Sequence, residues 1–171
     1  MRNYEERAKD FIEKIRPFIA DCKTMNQYCN AVKRFNRKYN RKVIVSSGAT
    51  RIAFITSDYV VKFDYNGAGA GTFGDCESEA RLYRKAEEEG FEHLLAKITP
   101  YNPKNAKKTF YIMPRINNVG KTPYSADFYL TGDEYCWVND HIGDLHRFNY
   151  GWKNKHIVII DYAYNCYTYN F

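Results

Sequence analysis

The apolar residues of this chain change their spacing once, near Lys42, and that change limits the folds open to it. Before it they recur every three or four positions, the repeat of a helix with one buried face. Phe11, Ile12, Ile15, Phe18 and Ile19 form such a stripe within residues 3–21, and Pro17 is expected to interrupt it. Met25, Tyr28, Val32, Phe35 and Tyr39 form a second stripe over 25–39, opened by a capping-box pattern in Thr24-Met-Asn-Gln27. After Lys42 come short β-branched or aromatic runs between turn residues: Val43–Val45, Arg51–Ile55, Tyr59–Phe63 and Thr109–Met113. Helices are predicted over Asp75–Glu89, closed by Gly90, and over Glu134–Asp140. His156-Ile-Val-Ile-Ile-Asp161 is the strongest strand signal, an apolar run ending in an acid. The pattern predicts an α+β fold in which a helical pair, residues 1–42, packs on a core formed by residues 43–171 as one compact unit.

Charge follows the same division. Residues 1–42 hold twelve Lys/Arg against five Asp/Glu, whereas 43–171 hold fourteen against fifteen, so the net +6 belongs to the helical pair. Lys33, Arg34, Arg37 and Lys38 crowd one side of the second helix. A solvated surface is the plain reading; the functional one is a docking face for an acidic protein or for nucleic acid phosphates. A hydrophobic content of 44% is enough for a core and excludes wholesale disorder. No apolar run reaches the roughly 20 residues of a membrane span, and acids stand where a signal peptide would be apolar. Five cysteines without a CxxC spacing read as reduced thiols, which suggests a cytoplasmic protein.

The chemistry concentrates in His141-Ile-Gly-Asp-Leu-His-Arg-Phe-Asn149 and the run that ends at Asp161. Asp144 and Asn149 lie five apart, and a second acid follows an apolar strand. This arrangement resembles the catalytic loop and metal-binding segment of the protein-kinase-like superfamily. The resemblance extends upstream in order. Lys62 in Val60-Val-Lys-Phe63 matches the lysine of the third strand, and Glu79 matches the glutamate of the following helix, with Glu77 as the alternative. Ser46-Ser-Gly-Ala-Thr-Arg51 falls where a phosphate-covering turn is expected, and Tyr111-Ile-Met-Pro114 is similar to the strand entering the hinge. By that resemblance Lys62, fixed by Glu79, holds the α- and β-phosphates of ATP, Asp144 accepts the proton of the acceptor hydroxyl, and Asn149 with Asp161 binds Mg2+. Ser46, Ser47, Gly48, Thr50, Met113 and Arg115 are then expected around the nucleotide.

The chain departs from the eukaryotic protein-kinase pattern in ways that shape the expectation. Ile142-Gly143-Asp144 replaces His-Arg-Asp, so the loop looks more like that of aminoglycoside phosphotransferases and RIO-type kinases. Asp161-Tyr-Ala163 replaces Asp-Phe-Gly, which keeps the acid that matters for the metal. The stretch after Asp161 is too short for a peptide-holding platform, so a minimal kinase-like fold with a truncated lower lobe is expected, of the compact kind found in bacteriophages. The function implied is an ATP- and Mg2+-dependent phosphotransferase, foremost a small serine/threonine protein kinase acting on another protein or on itself. Two alternatives stand beside it. One is a kinase-shaped binding module that docks on a host protein or nucleic acid through Lys33, Arg34, Arg37 and Lys38. The other is a small-molecule phosphotransferase.

Some motifs have plainer readings. Gly69-Ala-Gly71-Thr-Phe-Gly74 matches a dinucleotide fingerprint, but the alternating βα series that such a sheet needs is missing from the pattern. His141 and His146 read as residues that hold the loop rather than as metal ligands. Most of the aromatic residues, 17% of the chain, sit at helical or strand spacing and belong to a core.

Overall fold

A computed structural model describes residues 3–48, 50–64, 76–143 and 145–162. By its internal contacts the chain divides into two units, Met1–Gly69 with Thr99–Arg115, and Ala70–Ile98 with Ile116–Phe171. The architecture is α+β, with four helices, a five-stranded antiparallel sheet and a two-stranded hairpin among the described residues. Among them, no helix is long and apolar enough to cross a membrane.

The first unit holds helices α1 (Tyr4–Ile19) and α2 (Met25–Tyr39) and strands β1 (Ile44–Ser47), β2 (Arg51–Ile55), β3 (Tyr59–Asp64), β4 (Thr99–Tyr101) and β5 (Phe110–Pro114). Asn3 caps α1, and Thr24 with Gln27 forms the capping box that opens α2. Pro17 does not end α1: the helix runs through it to Ile19. Pro17 lies in the last turn, and the flanking Ile15 and Ile19 are both buried, so packing outweighs the one lost hydrogen bond. Asn40 leaves α2 in the left-handed conformation. Asn36 then fixes the way into the sheet, accepting from the Val43 N–H at 3.0 Å and donating to its carbonyl at 2.9 Å.

The strands are ordered β1-β2-β3-β5-β4 with every neighbour antiparallel. Side chains alternate across such a sheet, and here the two faces have different surroundings. Ile52, Phe54, Val61, Phe63, Phe110 and Ile112 form one face, buried in a common core with Phe11, Ile12, Ile15, Tyr28, Val32 and Phe35 of the helical pair. Phe11 meets Phe35 and Phe54 edge-on, with ring centres 5.3 and 5.9 Å apart, a favourable geometry for aromatic quadrupoles. β4 was not apparent in the sequence pattern. It is three residues long and contains Pro100, which an edge strand tolerates because its outer N–H positions need no partner.

The second unit holds α3 (Cys76–Glu89), α4 (Gly132–His141) and a hairpin of β6 (Tyr150–Lys153) and β7 (His156–Ile159), with short 3-10 turns at Glu92–Leu94 and Ala126–Tyr129. Gly90 follows α3 with φ +83°, the left-handed exit expected of a closing glycine. β7 is shorter than the apolar run suggested and stops two residues before Asp161. Residues 65–75, with the glycine-rich stretch, and the aromatic residues from 163 onward lie outside the described residues. The named strands pair only in antiparallel fashion, which is not the sheet of a dinucleotide-binding fold.

Tyr59 offers a test of the packing between helices and sheet. It is buried, 5.9 Å from the Phe11 ring, and burial together with neighbouring Asp58 pushes its phenol up to about 12. Its neutral form is favoured in the folded chain, so the associated stability is complete below pH 10 and is lost as pH rises through about 12. The expected contribution is on the order of 2 kcal/mol. Denaturant midpoints measured between pH 9 and 12 should fall less steeply for Tyr59→Phe than for the wild type.

Candidate active site

In the first unit the strand register decides which of the expected nucleotide residues share a surface. Residues directly opposite one another in a sheet lie on the same face. Ser46 pairs with Ala53, Ala53 with Lys62, and Lys62 with Tyr111, so one row crosses four strands. Lys62 is half-buried in this row, on the face away from the helical pair. Ser46 is two strand spacings away, about 10 Å. Met113 pairs with Val60, the next same-face residue of β3, and is buried. The register thus brings Ser46, Lys62 and Met113 to one face.

Other expected residues fall elsewhere. Ser47 pairs with Ile52, which places it on the face of the helical pair. Gly48 donates from its N–H to the Arg51 carbonyl at 3.0 Å and closes the β1–β2 turn, which Thr50 shares. A Cβ at Gly48 would meet nothing within 4 Å. Arg115 stands at the opposite end of β2, where its guanidinium donates to the Thr56 carbonyl at 2.5 Å and its N–H to Asp58 O at 3.1 Å. It holds the β2–β3 turn.

In the second unit a hairpin turns sequence separation into proximity. Tyr150 and Ile159 pair at the open end of β6 and β7, so the residues on either side, Asn149 and Ile160, must be neighbours. The Asn149 carbonyl accepts from the N–H of Ile160 at 2.7 Å and of Asp161 at 3.4 Å. Asn149 is itself buried, and its N–H donates to His146 O at 2.8 Å. The tip of the hairpin turns through Asn154 and Lys155, both at positive φ, as a tight turn with right-handed twist requires.

Glu79 joins the same network from α3. It is fully buried, and one carboxylate oxygen accepts from the Tyr162 N–H at 3.3 Å, the residue after Asp161. The Tyr162 hydroxyl donates to Ala96 O at 2.7 Å, and Ala96 donates from its N–H to Ile159 O at 2.8 Å. Glu79, Asn149 and Asp161 are therefore linked through main-chain groups around one end of the hairpin. In the sequence Tyr162 stands out only as the aromatic residue of Asp161-Tyr-Ala163; its link to Glu79 rests on its backbone N–H, which no residue type reveals.

The expected catalytic loop is held from both sides. Asp144 lies outside the described residues; Gly143 and Leu145, beside it, lie within them. Leu145 O accepts from Ala126 N at 2.8 Å, and Arg147 O accepts from Gly120 N at 3.0 Å. His146 Nδ1 accepts from the Phe148 N–H at 3.2 Å, and His141 Nδ1 lies 2.7 Å from Trp137 O. Burial pushes the Tyr150 phenol upward; protonated, it donates to Tyr124 O at 2.9 Å and shares a hydrogen bond with Thr122. Among the described residues no three His, Cys, Asp or Glu side chains cluster as a metal cage. The two residues whose backbones the hairpin brings together, Asn149 and Asp161, carry an amide and a carboxylate.

The basic side chains of α2 separate into two groups. Lys33, Arg34 and Arg37 line an open groove of about 620 Å³ beside Phe18 and Cys22. Lys38 lies over the Phe18 and Tyr39 rings, 5.6 and 5.5 Å from their centres. No protein-family model matches the chain, and no curated protein matches it.

Two glycines report on different parts of this arrangement. A Cβ on Gly151 would collide with the Asn117 carbonyl, a backbone atom that cannot yield cheaply, and lie 2.7 Å from the Ile116 side chain at Cγ2. Gly151→Ala is expected to lose about 1–3 kcal/mol in chemical denaturation, by overpacking. Gly48→Ala, with open space around it, is expected to stay within about 0.5 kcal/mol of the wild type.

Proposed function

We propose that the chain is an ATP- and Mg2+-dependent phosphotransferase of the protein-kinase-like kind, with a serine or threonine hydroxyl of a protein, its own included, as acceptor. The observation that carries this reading is the meeting of Asn149 with Asp161 at the open end of the β6–β7 hairpin, with Glu79 bonded to the next residue. The resemblance in sequence calls for an Asn and an acid on one metal, separated by a strand segment, and this backbone pairing accords with it. Further support comes from the element order: a turn between β1 and β2, Lys62 on β3, Glu79 on the helix that follows, and β5 beside β3.

The residues fit Mg2+ as a hard cation. An amide oxygen and a carboxylate are suitable donors, and Mg2+ commonly takes only one or two protein ligands and completes its shell with water and phosphate. When bound, the ion neutralises charge on the phosphates. The remaining roles belong to this chain's own groups. Lys62, on the face of the sheet away from the helical pair, supplies a point charge for the α- and β-phosphates. Glu79, accepting from the Tyr162 N–H, anchors the segment that carries Asp161. Ser46 on β1 and Thr50 at the β1–β2 turn offer hydroxyl donors to phosphate oxygens, and Gly48, with open space where a Cβ would stand, lets a phosphate approach the turn. Met113 packs on the side of the base. Asp144 orients the acceptor hydroxyl and takes its proton as the oxygen attacks the γ-phosphorus and the bond to the ADP oxygen breaks.

Incubation of the full chain with [γ-32P]ATP and Mg2+, alone and with dephosphorylated casein, tests the proposal. Label should enter protein, and Asp144→Asn should lower its rate by about 10²–10⁴-fold with the melting temperature unchanged. Asp161→Asn should also remove the thermal shift that MgATP gives the wild type. Wild type without transfer and without an ATP-dependent shift in melting would overturn the reading. ADP release with hydroxyl-bearing metabolites, in the absence of protein labelling, would move the acceptor to a small molecule.

A further inference from the structure

The outward side of the helical pair carries a second site, and the argument for it does not depend on phosphoryl transfer. Near the end of α1, Pro17, Phe18 and Cys22 form one wall of the groove, while Lys33, Arg34 and Arg37 of α2 form the other. All three basic residues are exposed, on the side of α2 opposite the buried Tyr28, Val32 and Phe35. Their charge differs from the rest of the unit in one respect. On α1, Arg7 pairs with Asp58, Lys14 with Asp10 at 2.7 Å and Arg16 with Glu13 at 2.9 Å. Lys33, Arg34 and Arg37 make no ion pair among the described residues, and their one polar contact there is the hydrogen bond from Arg37 Nε to Lys33 O at 3.4 Å. Three cations against the single carboxylate of Asp21 around one concavity raise the local concentration of anionic partners.

We infer that this groove docks an acidic polypeptide segment. A mostly polar groove with a short apolar wall and three cations suits an acidic peptide that also carries a few apolar side chains. Three features favour a polypeptide over nucleic acid. Asp21 lines the same groove, and a phosphate backbone has no cation or N–H to set against it, whereas a polypeptide has both. Gln27 and Asn30, also in the lining, carry amides that can pair with peptide N–H and C=O groups. The neighbouring rings of Phe18 and Tyr39 are occupied by Lys38, so they offer no open platform for stacked bases. Because the pair covers one face of the sheet and Lys62 lies on the other, a docked segment is kept apart from the Lys62 face.

Fluorescence anisotropy with the full chain tests the inference. The probe is a labelled peptide of alternating Glu and Leu with one Lys; the comparators are its Glu→Gln version and an oligo-dT of equal charge. The Glu peptide should bind at low salt and bind more tightly than the oligo-dT. Its Gln version should bind about tenfold more weakly, and added salt should weaken the complex. Combined Lys33→Gln, Arg34→Gln and Arg37→Gln changes, all at exposed positions, should cost about tenfold or more with an unchanged melting temperature, and charge reversal to Glu should cost more. Asp21→Asn should raise oligo-dT binding relative to the peptide. Oligo-dT bound as tightly as the peptide by the wild type, peptide affinity unchanged in the triple variants, or no peptide binding at low salt would each overturn the inference. None of these readings uses ATP, so they stand apart from the test of phosphoryl transfer.

Discussion

A β-strand presents its side chains to two faces, and the register of β3 decides what each face of this sheet can do. Tyr59, Val61 and Phe63 are buried, Val61 and Phe63 in the core shared with the helical pair; Val60, Lys62 and Asp64 alternate with them. A slip of one residue would carry Lys62 into a core of phenylalanines and isoleucines, where an unpaired ammonium is costly, and would expose Val61 and Phe63. The turn before β3 guards against that slip. Thr56 bonds to Tyr59 through both backbone and hydroxyl, and Arg7 reaches across from α1 to Asp58. With β3 fixed, the row from Ser46 through Ala53 and Lys62 to Tyr111 follows from antiparallel pairing alone. The helical pair therefore does more than add volume: by filling one face it assigns the polar row to the other.

The second unit solves a different problem, which is to bring together groups twelve positions apart in the chain, Asn149 and Asp161. A tight two-residue tip does this because antiparallel strands return the chain to where it began. The arrangement depends on small details of fit. Gly151 permits the close approach of Asn117, whose carbonyl accepts from Trp152 N at 2.9 Å, and the loop so anchored reaches Gly120 and Ala126, which bond to Arg147 O and Leu145 O. Positioning here comes mostly from main-chain hydrogen bonds, which hold the segment whatever the exposed side chains do.

That difference explains what could be read from the amino-acid sequence. The helical pair was legible down to the boundaries of α2, because a long amphipathic stripe and a capping box agree with each other. Pro17 misled, since the rule for proline describes a local cost and says nothing of the burial that offsets it. β2 and β3 were legible from their β-branched runs; β4 and β6 were not, because three residues with a proline, or four with a glycine, carry too little pattern. In the candidate site, Asn149, Asp161 and Glu79 were found through the motif and its family resemblance. Their connection through Ile160 N, Asp161 N and Tyr162 N could not be found that way, because every residue type but proline carries the same backbone donor. Ser46 and Ser47 were indistinguishable as neighbours in sequence and lie on opposite faces once the register is known.

The surplus charge of the first forty-two residues acquires a physical meaning by the same kind of separation. A count of basic residues treats Lys38 as the equal of Lys33, Arg34 and Arg37, yet Lys38 is drawn onto two aromatic rings while the other three surround a concavity. Cations held over rings stabilise the helix surface locally; cations around an open groove keep their potential for a partner. Helix α2 thus has an apolar side that closes the sheet and a basic side that faces outward, and its helical repeat keeps the two apart. The groove proposed to dock an acidic segment lies on one side of a helix whose other side packs on the sheet that carries Lys62, so the two proposed roles fall on surfaces separated by the thickness of a helix and a sheet, where substitutions in one need not touch the other.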